Sequence, residues 1–208
     1  MNTVHRSHAF LAEGIALGLV ATGAISVACA ALVATIRKAF ELFGGEATVP
    51  MPVTGGEVAS LEGVATVTSA QYTTADVVLS SLPPDVSWML FLEGALPALA
   101  TIGVCIIAWW LGVAMMRARP FRRALPAAIG AVAALVVAGG LLGQVFGAIG
   151  LAALVESLTA SDPAVAETFP AFSMVLDLAP LGWGFALALV AGAFAIGTRL
   201  QRDAEGLV

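Results

Sequence analysis

Arg37, Lys38, Glu93 and Gln144 are the residues whose chemistry is least expected in their surroundings. Each lies inside or at the end of a long run of Ala, Val, Leu, Ile and Gly. Ionisable groups in such runs are functional suspects by default, because leaving them unpaired there is costly. One acid, two cations and an amide at one level could hold a small ligand or relay a proton. The same four could form an interfacial salt bridge, with Gln144 bonding across, that fixes helix register. Glu93 lies only five residues inside its run, shallow enough to meet water, which favours the structural role. Glu13, an acid in a first helical turn, is explained by the helix dipole.

Other reactive side chains are sparse. Cys29 and Cys105 both fall inside apolar runs, where free Cys behaves as a small hydrophobe. Neither lies in a loop where an oxidising compartment would make a disulfide. His5 and His8 are three apart, but without Cys or carboxylate support they make a weak metal site. The chain has no H-E-x-x-H, G-x-S-x-G, P-loop or G-x-G-x-x-G. The sequence therefore points to no catalytic residue, no metal, no cofactor and no direct nucleic-acid contact, and a non-enzyme is expected.

The elements that carry these residues are membrane spans. Of 208 residues, 60% are hydrophobic and 11% charged, whereas a soluble domain carries about a quarter charged residues. A helix needs about 20 mostly apolar residues to cross the roughly 30 Å hydrocarbon core. Four segments qualify, at about 11–36, 88–116, 125–155 and 178–197. Helices suit them because a backbone in lipid must satisfy its own hydrogen bonds, and the runs are too long and too uniformly apolar for barrel strands. Ala28-Cys29-Ala30 resembles a cleavage site, but the apolar run continues past it, so a retained helix is expected. The expected fold is an all-α membrane protein, one integral domain over residues 1–208. It is a four-transmembrane-helix bundle with a small extracytoplasmic loop at 37–87. In that loop Val64–Thr68 and Ala75–Leu79 have strand composition, so a β-hairpin or three-stranded cap is anticipated.

Charge sets the orientation. Cytoplasmic loops carry the excess of Lys and Arg. Arg6, Arg117, Arg119, Arg122, Arg123, Arg199 and Arg202 fall on one side, and only Arg37 and Lys38 on the other. The opposite loops are acidic: 37–87 and 156–177 each carry a net −4. Both termini are thus expected in the cytoplasm. Arg117–Arg123, with Pro120 as a helix breaker, is first an orientation clamp. It could also hold anionic lipid head groups, at about 1 kcal/mol per arginine, or dock an acidic partner. Asp203 and Glu205 in the tail could pair with these arginines or end a short solvated helix. Trp88 and Trp183 sit at outer span ends, where indoles prefer the head-group level.

Close packing in lipid relies on small residues. Gly139, Gly143 and Gly147 form a double G-x-x-x-G. Gly14, Gly18, Thr22, Ser26 and Ala30 form a second stripe. Both read as faces for another backbone, within one bundle or between copies in a homo-oligomer. Pro97 should kink the second span.

The closing segment AFAIGTRLQRDAEGLV resembles the C-terminal signature of a bacterial membrane family, domain of unknown function 2975. The matching positions are Phe194, Gly197, Leu200, Gln201, Asp203, Glu205 and Val208. Four spans, a long first outer loop and Pro120-Phe121 in the inner turn extend the resemblance over the whole chain, although Arg119 stands where the family usually carries Gly. The resemblance implies a bacterial plasma-membrane protein. Members are often encoded beside a small helix-turn-helix regulator, which implies a cytoplasmic protein partner. No catalytic residue carries over. Eight arginines to one lysine among abundant Ala, Val and Gly suit a GC-rich bacterial genome. The expected function is a non-enzymatic inner-membrane accessory or regulatory protein. The alternative is a small transporter or channel subunit that forms an oligomer around Glu93 and Gln144.

Overall fold

The computed structural model describes residues 3–57, 71–116 and 125–205. The chain is mostly helical, with four long apolar helices and a small two-stranded sheet. In order these are α1 (Thr3–Phe43), β1 (Ala47–Glu57), β2 (Gln71–Leu79), α2 (Pro84–Met116), α3 (Leu125–Ser161), the single turn α4 (Val165–Thr168) and α5 (Ala179–Glu205). Each long helix contains a stretch long and apolar enough to cross a membrane. The helices overrun the expected spans. α1 continues to Phe43, α2 starts at Pro84 and α3 runs on to Ser161.

Hydroxyls on these helices are satisfied locally, as an apolar surrounding demands. Thr22 Oγ1 donates to the Gly18 carbonyl at 2.9 Å, Ser26 Oγ to Thr22 at 3.0 Å and Thr35 Oγ1 to Ala31 at 2.8 Å. Large apolar side chains remain exposed along α1 and α5, among them Leu19, Val33, Phe40, Phe185 and Leu189. Lipid is the solvent that suits such a surface.

The chain divides into two compact units. The first holds Met1–Thr35, Leu96–Leu141 and Asp177–Val208. Here α3 packs against two helices through adjacent glycines. A Cβ on Gly139 would lie 2.8 Å from the Leu96 carbonyl oxygen of α2, and a Cβ on Gly140 would strike the Pro180 ring of α5. Gly184 of α5 lies against Val137 and Ala133 of α3 in the same way.

The second unit holds Ile36–Ala95 and Leu142–Leu176. Its sheet is the antiparallel pair β1–β2, with Ala47 opposite Leu79, Val49 opposite Val77 and Met51 opposite Ala75. Alternation sends Ala47, Val49 and Met51 to one face, and all three are buried. They pack on Leu42 of α1, Val86 and Leu90 of α2, and Leu154 and Val155 of α3. Pro50 and Pro52 occupy the alternate positions. A proline cannot donate, so these positions lie where the missing N–H would face away from β2. The ladder slips between Pro52 and Gly56, a bulge that bends the strand. Thr54 Oγ1 donates to the Thr168 carbonyl at 3.1 Å and ties β1 to α4. Phe43, Trp88 and Phe91 form an aromatic cluster with centroids 5.0 to 6.1 Å apart. α1 stops at Gly44-Gly45, where Gly45 takes φ 109°, a backbone that favours glycine.

The expected strand Ala75–Leu79 falls within β2, while Val64–Thr68 lies outside the described residues. After α4 the chain reaches α5 without helix or strand. Among the described residues no backbone hydrogen bond involves Pro170–Leu176. Asp177 Oδ1 accepts the Ala179 N–H at 2.9 Å and starts α5 with an Asx turn.

Candidate functional site

Lys38, Glu93 and Gln144 belong to the second unit, and Glu93 is the best defined of them. α2 brings its side chain across the α3 backbone at Gly147. A Cβ on Gly147 would lie 2.7 Å from Cδ and 2.8 Å from Oε1 of Glu93. The third glycine of the double G-x-x-x-G is thus the seat of a carboxylate rather than of a backbone. Lys38 is the cation whose charge acts on Glu93. Among the described residues no ion pair within 4 Å is formed by Glu93, Arg37 or Lys38, so the attraction works across a gap. Glu93 keeps an exposed surface, and Gln144 is half-buried with a partner of its own.

Gly139 has the backbone contact described above and Gly143 is buried. Gly150 joins the same face, against Met89 and Leu90 of α2. The α1 stripe differs: a Cβ on Gly18 would meet nothing within 4 Å, and Gly14 lies where only the helix backbone is described. Gly18→Ala is therefore expected to stabilise the monomer by up to about 1 kcal/mol through helix propensity. Thermal unfolding in detergent would show a small rise in Tm. A fall in the dimer fraction at constant Tm would instead reveal a second copy seated on this stripe.

Arg117, Arg119, Arg122 and Arg123 lie outside the described residues. Asp203 is exposed on the last turns of α5, and Glu205 ends that helix. Trp88 and Trp183 are 56% and 69% exposed, as interfacial anchors require. Cys29 is exposed and Cys105 buried, both as free thiols. Among the described residues no group of three His, Cys, Asp or Glu gathers to hold a metal.

The first unit contains a feature not anticipated from the sequence. A cleft of about 530 Å³ opens between α2, α3 and α5, with Val27 of α1 at its edge. Pro97, Thr101 and Cys105 line it from α2, Val136 and Gly140 from α3, and Trp183 and Leu187 from α5. Among the described residues Asp177 is the one charged residue in its wall. Thr101 Oγ1 is engaged with the Pro97 carbonyl at 3.0 Å, so the α2 wall is effectively apolar. The proline expected to bend α2 thus also shapes a cavity. The Gly139-Gly140 pair and the Pro180–Gly184 stretch were the available signals, but nothing in the sequence says that they meet.

The four long apolar helices define a multi-pass membrane protein. Comparison with family models, with curated proteins and with solved structures gives no match.

Proposed function

We propose that this chain is a four-span accessory or regulatory protein of the bacterial plasma membrane that works by binding a protein partner rather than by catalysis. The observation that carries this reading is the distribution of charge. Seven of nine bases fall on one side of the spans, four of them in Arg117–Arg123, and the loops of the other side are acidic. By the positive-inside bias both termini and the arginine turn are cytoplasmic, and the β1–β2 hairpin is extracytoplasmic. The cytoplasmic docking face then combines Arg117, Arg119, Arg122 and Arg123 with Asp203 and Glu205. Its partner is a soluble regulator, of which a helix-turn-helix protein is the leading candidate, with anionic lipid beside it. The tail's resemblance to domain of unknown function 2975 supports the bacterial assignment.

The test is co-purification from the native host in mild detergent, with a tag in the outer loop. A soluble protein should accompany the wild type and be lost when all four turn arginines become Gln, with topology checked by cysteine accessibility. Recovery of a homo-oligomer alone would count against the regulatory reading. Transport is the second reading, favoured by the exposed carboxylate of Glu93 over Gly147. Under it Glu93→Gln abolishes ion flux in liposomes; under the regulatory reading it leaves co-purification unchanged.

A further inference from the structure

We propose that Phe172–Leu176, in the connection between α4 and α5, is an interfacial anchor: its apolar side chains insert into the lipid at the head-group boundary while its backbone stays hydrated. The proposal is independent of any cytoplasmic partner.

Two observations pull in opposite directions, and one layer satisfies both. The first is the backbone. The stretch is neither helix nor strand, and among the described residues its peptide groups make no backbone hydrogen bond. Irregular backbone exposed to lipid does not occur within the hydrocarbon region, because nothing there satisfies it. These peptide groups therefore lie above the hydrocarbon core.

The second is the side chains. Phe172, Val175 and Leu176 are 61%, 88% and 52% exposed, and Met174 is exposed between them. Ser173 is the single polar side chain in the stretch, and no residue from 170 to 176 is charged. Leaving such side chains in water forfeits the gain from burying them. The turn from α3 to α4 is built the other way. Asp162 Oδ1 accepts the Ala164 N–H at 3.0 Å there, and Asp-Pro is turn chemistry that suits water. The head-group zone is hydrated at its top and oily at its base, and it takes in apolar side chains from segments that lie along it.

Continuity with the membrane-spanning helix selects lipid as the covering material. Phe169 packs on the core of the second unit, and Asp177 starts α5 with its bond to the Ala179 N–H. The apolar span begins at Ala179, three residues after Leu176. Three residues reach at most about 11 Å, so Leu176 lies close to the level at which α5 enters the bilayer. Trp183, exposed one turn into α5, marks the same level, since an indole prefers the head groups.

The experiment uses the full chain with Cys29→Ala and Cys105→Ala, and a nitroxide attached through Val175→Cys. The protein is reconstituted into vesicles of phosphatidylethanolamine and phosphatidylglycerol. Power saturation in electron paramagnetic resonance compares collisions with oxygen, which concentrates in lipid, and with a water-soluble nickel chelate. Oxygen accessibility should exceed that of the chelate, at a depth of about 5–10 Å below the surface, as for other interfacial apolar faces. Leu176→Asp should draw the stretch outward and raise the chelate accessibility of the same label. A label through Phe172→Cys covers the case in which the Val175 variant fails to fold. Chelate accessibility above that of oxygen would put the stretch in water and overturn the proposal. Low accessibility to both would overturn it too, because a second copy or another protein would then be the cover.

Discussion

Met51→Ala should loosen the β1–β2 hairpin of the second unit at a cost of about 2–5 kcal/mol, the range for emptying a fully buried site of this size. Met51 has no exposed surface and lies at the centre of a core drawn from β1, α1, α2 and α3. That core is small. Leu154 and Val86 are its other fully buried large side chains, each contributing about 1.5–3 kcal/mol by burial. A cavity at Met51 therefore removes a large share of what holds the hairpin to the helix ends. Limited proteolysis in detergent would report it as faster cleavage between β1 and β2, while the helical circular dichroism stays intact. Unchanged cleavage would mean that the hairpin is held by something other than this core.

Gly139→Leu should cost at least the roughly 1–3 kcal/mol typical of overpacking. The first added atom would lie 2.8 Å from the Leu96 carbonyl oxygen and 3.3 Å from its carbon. Both belong to backbone and cannot rotate away, so α2 and α3 must separate. Gly147→Ala is the control. There the obstacle is the far end of the Glu93 side chain, which can swing aside, so little loss is expected. Tm and gel-filtration profile in detergent compare the two. Equal losses would show that the rigidity of the neighbour does not decide the cost.

The helices were legible because lipid imposes a simple demand, long apolar runs with internally bonded backbones, and Leu11–Ile36 or Leu125–Val155 meet it on inspection. The helix ends were less legible. α3 continues through Glu156 and Ser157 because packing of Leu154, Val155 and Leu158 supports residues whose polarity suggested a loop. β1 was hidden because Pro50, Pro52 and Gly55-Gly56 are poor strand residues, yet they sit where a two-stranded sheet tolerates them. Glu93 stood out as a carboxylate in an apolar run. Its seat on Gly147 depends on how α2 is rotated against α3, which no pattern in either helix specifies. The cleft at Asp177 was invisible for a related reason: it exists only where Pro180 of α5 meets Gly140 of α3.

The irregular stretch Pro170–Leu176 sets where water must begin. Among the described residues its peptide groups bond to no other backbone group. An unsatisfied amide in hydrocarbon costs several kcal/mol, and six or seven in succession would exceed the whole folding stability of an ordinary domain, about 5–15 kcal/mol. This stretch is therefore hydrated, and the oily layer starts no higher than the first turn of α5. Pro180 in that turn touches Gly140, so the α3 backbone beside it lies at the head-group boundary as well.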